Sequence, residues 1–325
     1  MKTIIHYFKD YFKDGFDVKL HLLVGLFWLV GLIFNYNTGE VNGRILGFED
    51  GVIDKYYGQW IRVLWFFLFY AFAYYGTVFI MIWYKRDWEW LRNRRFWVIS
   101  FIGLLILAFD IGAHFEQLIA QKFSPPEIYR YTQKTVDKLI SLFTCILPLY
   151  ILWRITKDPK DHFYGLRLKG AYIKPYIWIF IFMIPIVFAA SYLPSFLKQY
   201  PTYKPYMVTA HRYFDIPEWV TMLFYEFCYG LDFIGVETFF RGFLVIGFIS
   251  IIGKKAMLPM VVTYSFIHFG KPLGESISSV IGGYALGILA YQSRHILGGI
   301  IVHVGVAYLM DFFAILQKYV LMSSD

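Results

Sequence analysis

Residues 60–84 read WIRVLWFFLFYAFAYYGTVFIMIWY, 25 residues with one formal charge, Arg62, near the start. About 20 apolar residues in a helix cross the ~30 Å hydrocarbon core of a bilayer, so this stretch reads as a membrane span. The eleven residues that follow, KRDWEWLRNRR at 85–95, carry five basic and two acidic side chains. Such a basic loop stays on the cytoplasmic side. Outward from this anchor, further apolar stretches lie at about 20–36, 96–113, 139–153, 174–193, 219–252, 257–269, 277–293 and 297–317. The stretch 219–252 is too long for one untilted crossing and has Gly230 and Gly235 near its middle. The stretch 257–269 is short, so its polar end is expected inside the membrane.

The composition agrees. Of 325 residues, 58% are hydrophobic and 17% charged, against roughly 45–50% and about 25% in soluble proteins. The mean hydropathy is +0.51. An ordinary cytosolic enzyme, a disulfide scaffold and a disordered tail are excluded, and an all-α polytopic transmembrane helix bundle of about 8–10 spans is expected. The net charge of +8 belongs to cytoplasmic loops and not to a nucleic-acid face. Cys145 and Cys228, the two cysteines, give no disulfide framework and no Cys₄ zinc site. The N-terminal residues 1–19 mix Lys and Asp with Tyr and Phe and read as a short interfacial helix.

Loop charges set an orientation. Residues 154–174 carry six basic and two acidic side chains, whereas 37–58 carries four acidic and two basic, and 114–138 is nearly balanced. The alternation puts the N-terminus, 85–95 and 154–174 in the cytoplasm. The charged segment 154–173 divides an N-terminal membrane region, 1–173, from a C-terminal one, 174–325.

Ionisable groups inside spans are costly and mark function, a pathway or a partner pair. Arg62, Asp110 and His114 lie near span ends, where side chains reach the interface. The C-terminal region differs. Glu237 and Arg241 lie in GVETFFRG (235–242), His268 ends YSFIHF (264–269), and His303 sits in GGIIVHVG (298–305). Glu237 and Arg241 are four apart on one helix face and can neutralise each other; a buried histidine needs only one hydrogen bond. Two histidines and a carboxylate on three segments are also the donor types of catalytic zinc, and a Glu can serve as general base toward water.

These strings resemble the CPBP family of intramembrane metalloproteases, which includes the CAAX prenyl proteases and the bacteriocin-processing or immunity (Abi) proteins. Its signature is a Glu-Glu-x-x-x-Arg helix, a Phe-x-x-x-His helix and a His-x-x-x-Asn/Asp helix. The resemblance covers about 215–320, the protease-like core. Glu237 and Arg241 match the second Glu and the Arg, and His268 and His303 match the two histidines. The first Glu falls on Val236, the aromatic of the second motif on Tyr264, and the Asn or Asp of the third on Ala307. Glu275 and Asp311 are candidate replacement carboxylates, with Asp232 a third. Asp311 stands eight residues beyond His303, about 80° round the helix and roughly 12 Å along it. Glu275 follows a turn-rich stretch, 270–274, and reads equally as a solvated loop residue.

The resemblance implies a metal-dependent endopeptidase in the bacterial cell membrane. Its site would be catalytic Glu237 and Arg241 with a divalent metal, zinc first, on His268 and His303. Its partners would be membrane lipids and a membrane-associated or lipidated peptide or protein substrate. The alternative is an inactive member that works by binding, as an immunity protein or complex subunit. A secondary transporter ranks last, because no inverted repeat is visible.

Overall fold

A computed structural model describes residues 2–13, 16–38, 40–41, 44–45, 47–156, 162–167 and 173–318. The charged 154–173 segment falls partly outside them. Among the described residues, seven helical runs are long and apolar enough to cross a membrane: Val18–Asn37, Ile61–Lys85, Arg94–Phe123, Pro126–Ile155, Glu218–Phe266, Leu273–Ser293 and Leu297–Leu316. The 49-residue run Glu218–Phe266 would be about 70 Å long if straight, more than twice the hydrocarbon core. It breaks at Gly253, whose φ of +58° suits a residue without Cβ. Counting that run as two passes and adding the shorter apolar helix Lys174–Ala190 gives nine apolar segments. The molecule is the all-α polytopic bundle that the hydropathy pattern sets out.

The chain groups into two interleaved units. The first holds Met1–Ala113, Leu147–Arg167 and Thr238–Ile296; the second holds His114–Ile146, Leu168–Glu237 and Leu297–Asp325. In the first, helix Ile61–Lys85 buries Phe66, Phe69, Tyr70, Ala73, Tyr74 and Val78. Leu64, Leu68, Phe72, Phe79 and Trp83 point outward and are half or more exposed. A helix apolar on its outer face as well suits lipid and not water. Arg62 near its start is structural: Nε and Nη2 donate to Asp54 Oδ1 at 3.0 and 2.8 Å, and Nη1 donates to the Ile111 carbonyl at 2.9 Å. The N-terminal helix Lys2–Phe12 lays Tyr11 edge-on against Tyr284 and Tyr291.

Close packing within this unit depends on glycine. A Cβ on Gly103 would stand 2.1 Å from the Phe243 ring, which is 1% exposed. Small residues admit such approaches between membrane helices.

In the second unit, helices Tyr129–Ser141, Glu218–Glu237, Lys174–Ala190 and Leu297–Leu316 surround two small cores. One gathers Ile128, Tyr131, Tyr203, Met207, Ala210 and Tyr225; the other gathers Val187, Phe196, Tyr200, Phe313 and Ala314. The proline-rich stretch between Lys174–Ala190 and Glu218–Glu237 is tied down by polar contacts. Thr202 donates from its backbone N–H and its hydroxyl to Asp311, and Lys318 Nζ donates to the Tyr200 carbonyl at 2.8 Å.

One acid of the first unit stands apart. Glu49 lies in the loop between the first two spans, its carboxyl against the Gly270 backbone. Its Oε2 is buried without a hydrogen-bond partner. Burial pushes its pKa from 4.5 up to about 8; the nearby Asp54 and Asp50 add to the rise, and Arg62 and Lys271 only partly offset it. Between these two values the native state holds a proton that the unfolded chain has released, so stability falls as pH rises through this window.

Two outcomes are expected in detergent solution. The melting temperature should decline between pH 4.5 and 8, and Glu49→Gln should flatten that slope and stabilise the protein at the alkaline end; an unchanged slope refutes the assignment. Gly103→Ala should cost about 1–3 kcal/mol by overpacking, and Phe243→Leu in the same chain should recover part of that loss, read as a double-mutant cycle of thermal unfolding.

Candidate active site

Glu237 is the last residue of helix Glu218–Glu237, and the chain continues as a π-helix over Thr238–Gly247. Extended π segments are rare and recur at functional sites. The carboxyl of Glu237 is fully buried, and its Oε1 lies 3.0 Å from His303 Nδ1, whose side chain is 15% exposed. A carboxylate has only lone pairs to offer, so the Nδ1–H donates and Nε2 keeps its lone pair. The acid sits behind and the imidazole in front, the arrangement in which a carboxylate fixes the tautomer and orientation of a histidine base.

Two further contacts hold this pair. The Phe233 ring lies 4.4 Å from the imidazole, centroid to centroid. Gly299, one turn before His303 on helix Leu297–Leu316, lets Glu237 come close: a Cβ there would stand 2.5 Å from Oε2. Any larger residue at 299 displaces the carboxyl from His303.

Arg241 and His268 belong to the first unit and share one neighbour. The Arg241 guanidinium, on a residue 1% exposed, lies over the Tyr264 ring at 4.0 Å. His268 packs against the same ring at 4.7 Å and donates from Nδ1 to the Tyr264 carbonyl at 2.8 Å. Its Nε2 is then the lone-pair nitrogen, as in His303. Tyr264 is itself seated by Gly283, where a Cβ would come within 2.8 Å of the ring. The Ser276 hydroxyl donates to the His268 carbonyl and fixes the turn that follows helix Met257–Phe266.

The replacement carboxylates have other occupations. Asp311 accepts both Thr202 donors and hydrogen-bonds Glu226. Glu275 sits in the first turn of helix Leu273–Ser293, where a negative charge suits the helix dipole, 3.9 Å from Lys271. Asp232 accepts from Ser141 Oγ at 3.1 Å and pairs with Lys138 at 3.5 Å. Ala307, at the position of the third-motif Asn or Asp, is fully buried.

Catalytic zinc takes three protein ligands as a rule. Among the described residues no group of three or more His, Cys, Asp or Glu is placed to hold a metal ion. The donors that the resemblance implies divide between the two units, His268 in the first and Glu237 and His303 in the second.

Of the two aromatic supports, the sequence reading lacked Phe233 and had Tyr264 only as the motif aromatic, not as the ring beneath Arg241. Tyr264 had a readable signal, since it stands four residues before His268 and so one helical turn below it. Phe233 had none, because its partner lies 70 residues further along the chain.

No curated protein and no solved structure matches the chain. A family model does: residues 217–309 match the type II CAAX prenyl endopeptidase Rce1-like family. That segment, under a third of the chain, contains Glu237, Arg241, His268 and His303. Over that segment the chain is similar to the CAAX-type prenyl endopeptidases.

Proposed function

We propose that the protein is a membrane-embedded endopeptidase whose water is activated by the Glu237–His303 pair. The observation that carries this reading is the 3.0 Å contact between a fully buried carboxyl and a partly exposed imidazole, inside the segment that matches the endopeptidase family. His303 Nε2 takes a proton from water, and the hydroxide adds to the scissile carbonyl carbon. The tetrahedral oxyanion collapses with cleavage of the C–N bond, and the imidazolium returns its proton to the leaving amine. Glu237 accepts from Nδ1 throughout and stabilises the imidazolium. The substrate class is a peptide or protein end held at the membrane, with a prenylated C-terminus the first to try.

A binding-only member of the family is the second reading. It is favoured by Val236 and by the buried Ala307, which remove two polar groups of the signature. Under it, Glu237–His303 is a structural pair.

One set of variants separates the readings. With full-length protein in lipid–detergent micelles and a prenylated CAAX-type peptide, Glu237→Gln should lose about 10²–10⁴-fold in kcat with melting temperature and gel-filtration profile retained, and His303→Ala should lose as much while lowering the melting temperature, because it strands the buried carboxyl. Gly299→Ala should lower kcat with little change in KM, because it shifts the carboxyl and leaves substrate binding intact. No cleavage by the parent, with biological activity kept by Glu237→Gln, favours the binding reading. Stoichiometric metal in the parent that is lost in both His268→Ala and His303→Ala would overturn the dyad as the water-activating group and reinstate a divalent ion.

A further inference from the structure

Helix Val18–Asn37, the first span, lies outside the family-matched segment 217–309. Three polar side chains on its second half, Trp28, Asn35 and Tyr36, nevertheless reach one short stretch inside that segment, residues 265–271. This stretch ends helix Met257–Phe266 and carries His268. Trp28 Nε1 donates to Ser265 Oγ at 2.8 Å. Asn35, fully buried, donates from Nδ2 to the Phe269 carbonyl at 2.9 Å. Its Oδ1 accepts the Phe48 N–H at 3.1 Å and the Glu49 N–H at 3.4 Å, so one amide joins the loop after the first span to the turn after His268. The Tyr36 hydroxyl donates to the Lys271 carbonyl at 2.5 Å and stands 2.8 Å from Ser276 Oγ. Gly31 lets the two helices meet: a Cβ there would stand 2.8 Å from the Phe266 ring.

Backbone carbonyls beyond a helix end need partners, and lipid supplies none. Ser276 meets the carbonyl of His268, and the first span meets those of Phe269 and Lys271. The imidazole depends on the same backbone, because Nδ1 donates to the Tyr264 carbonyl one turn earlier. Side-chain rotamers follow backbone φ and ψ, so holding this turn also sets the direction of the His268 ring.

We propose that Asn35 and Tyr36 are positioning residues for His268, so that the family-matched segment takes part of its site geometry from a span outside it. The proposal rests on the endopeptidase reading in one point, that His268 serves the cleavage. A merely structural clamp loosens the bundle as a whole when it is cut. A positioning pair alters one imidazole and leaves the others as they were.

The test uses the full chain in lipid–detergent micelles with two readouts. Brief acylation by diethyl pyrocarbonate, located by mass spectrometry, reads the reactivity of each histidine, and a prenylated CAAX-type peptide reads kcat and KM. Tyr36→Phe should change the His268 acylation rate several-fold and leave the His303 rate at the parent value; Asn35→Leu should change it further. In cleavage, Tyr36→Phe should lower kcat roughly tenfold with KM little changed. Tyr75→Phe is the control. It removes a hydroxyl of the same unit that hydrogen-bonds Ser100 Oγ at 3.0 Å, and it should leave the His268 rate at the parent value. Should Asn35→Leu fail to fold, Tyr36→Phe decides alone. An unchanged His268 rate in Tyr36→Phe, an equal change in Tyr75→Phe, or a changed rate with kcat kept would each overturn the proposal. A parent that cleaves nothing defeats the endopeptidase reading instead, and the His268 rate still decides whether the first span positions that residue.

Discussion

A carboxyl group without solvent contact must be satisfied from inside the bundle, and Glu237 is such a group. The hydrocarbon core supplies no hydrogen bonds, and stranding a buried acid costs far more than a single hydrogen bond returns. His303 answers it, and the helix that carries His303 is shaped for close approach. Gly299 leaves room for the carboxylate, Gly298 for the ring of Tyr176, and Gly305 for the ring of Phe180. Three glycines on one helix would weaken it in water through backbone entropy. In lipid they let helix Leu297–Leu316 lie close to its neighbours.

The first unit meets the same constraint with an aromatic ring. A guanidinium 1% exposed is costly to desolvate, and stacking on the face of Tyr264 recovers about 2 kcal/mol when water is excluded. The same residue accepts the Nδ1–H of His268 through its backbone. One tyrosine thus holds the two motif residues of this unit, which links the second motif's aromatic to the first motif's arginine in a physical contact.

The spans were legible because hydropathy is a local signal: about 20 consecutive side chains decide each one. The four polar residues were legible because each interrupts an apolar run, where its cost makes it stand out. What could not be read were partnerships across the chain. Asp311 looked available to a site eight residues away, but its carboxylate is held by Thr202, 109 residues earlier. Glu49 sat among other acids of a loop and gave no sign that its carboxyl is buried against Gly270. The α-to-π change after Glu237 has no marker in composition, since Gly242 and Gly247 are as common in membrane helices that stay regular.

The substitution at Val236 has a consequence for the proposed chemistry. Neighbouring helical residues point about 100° apart, so an acid at 236 and one at 237 face different surroundings and cannot exchange roles without rotating the helix. With valine at 236, the remaining acid is the one bonded to His303, and a carboxylate that already accepts the Nδ1–H is poorly placed to take a proton from water as well. In the proposed reaction the proton passes to the imidazole, whose Nε2 lone pair the carboxylate itself sets. Valine at 236 thus favours an imidazole base over a carboxylate base in the proposed reaction, and the Glu237–His303 contact orients the histidine that such a base requires.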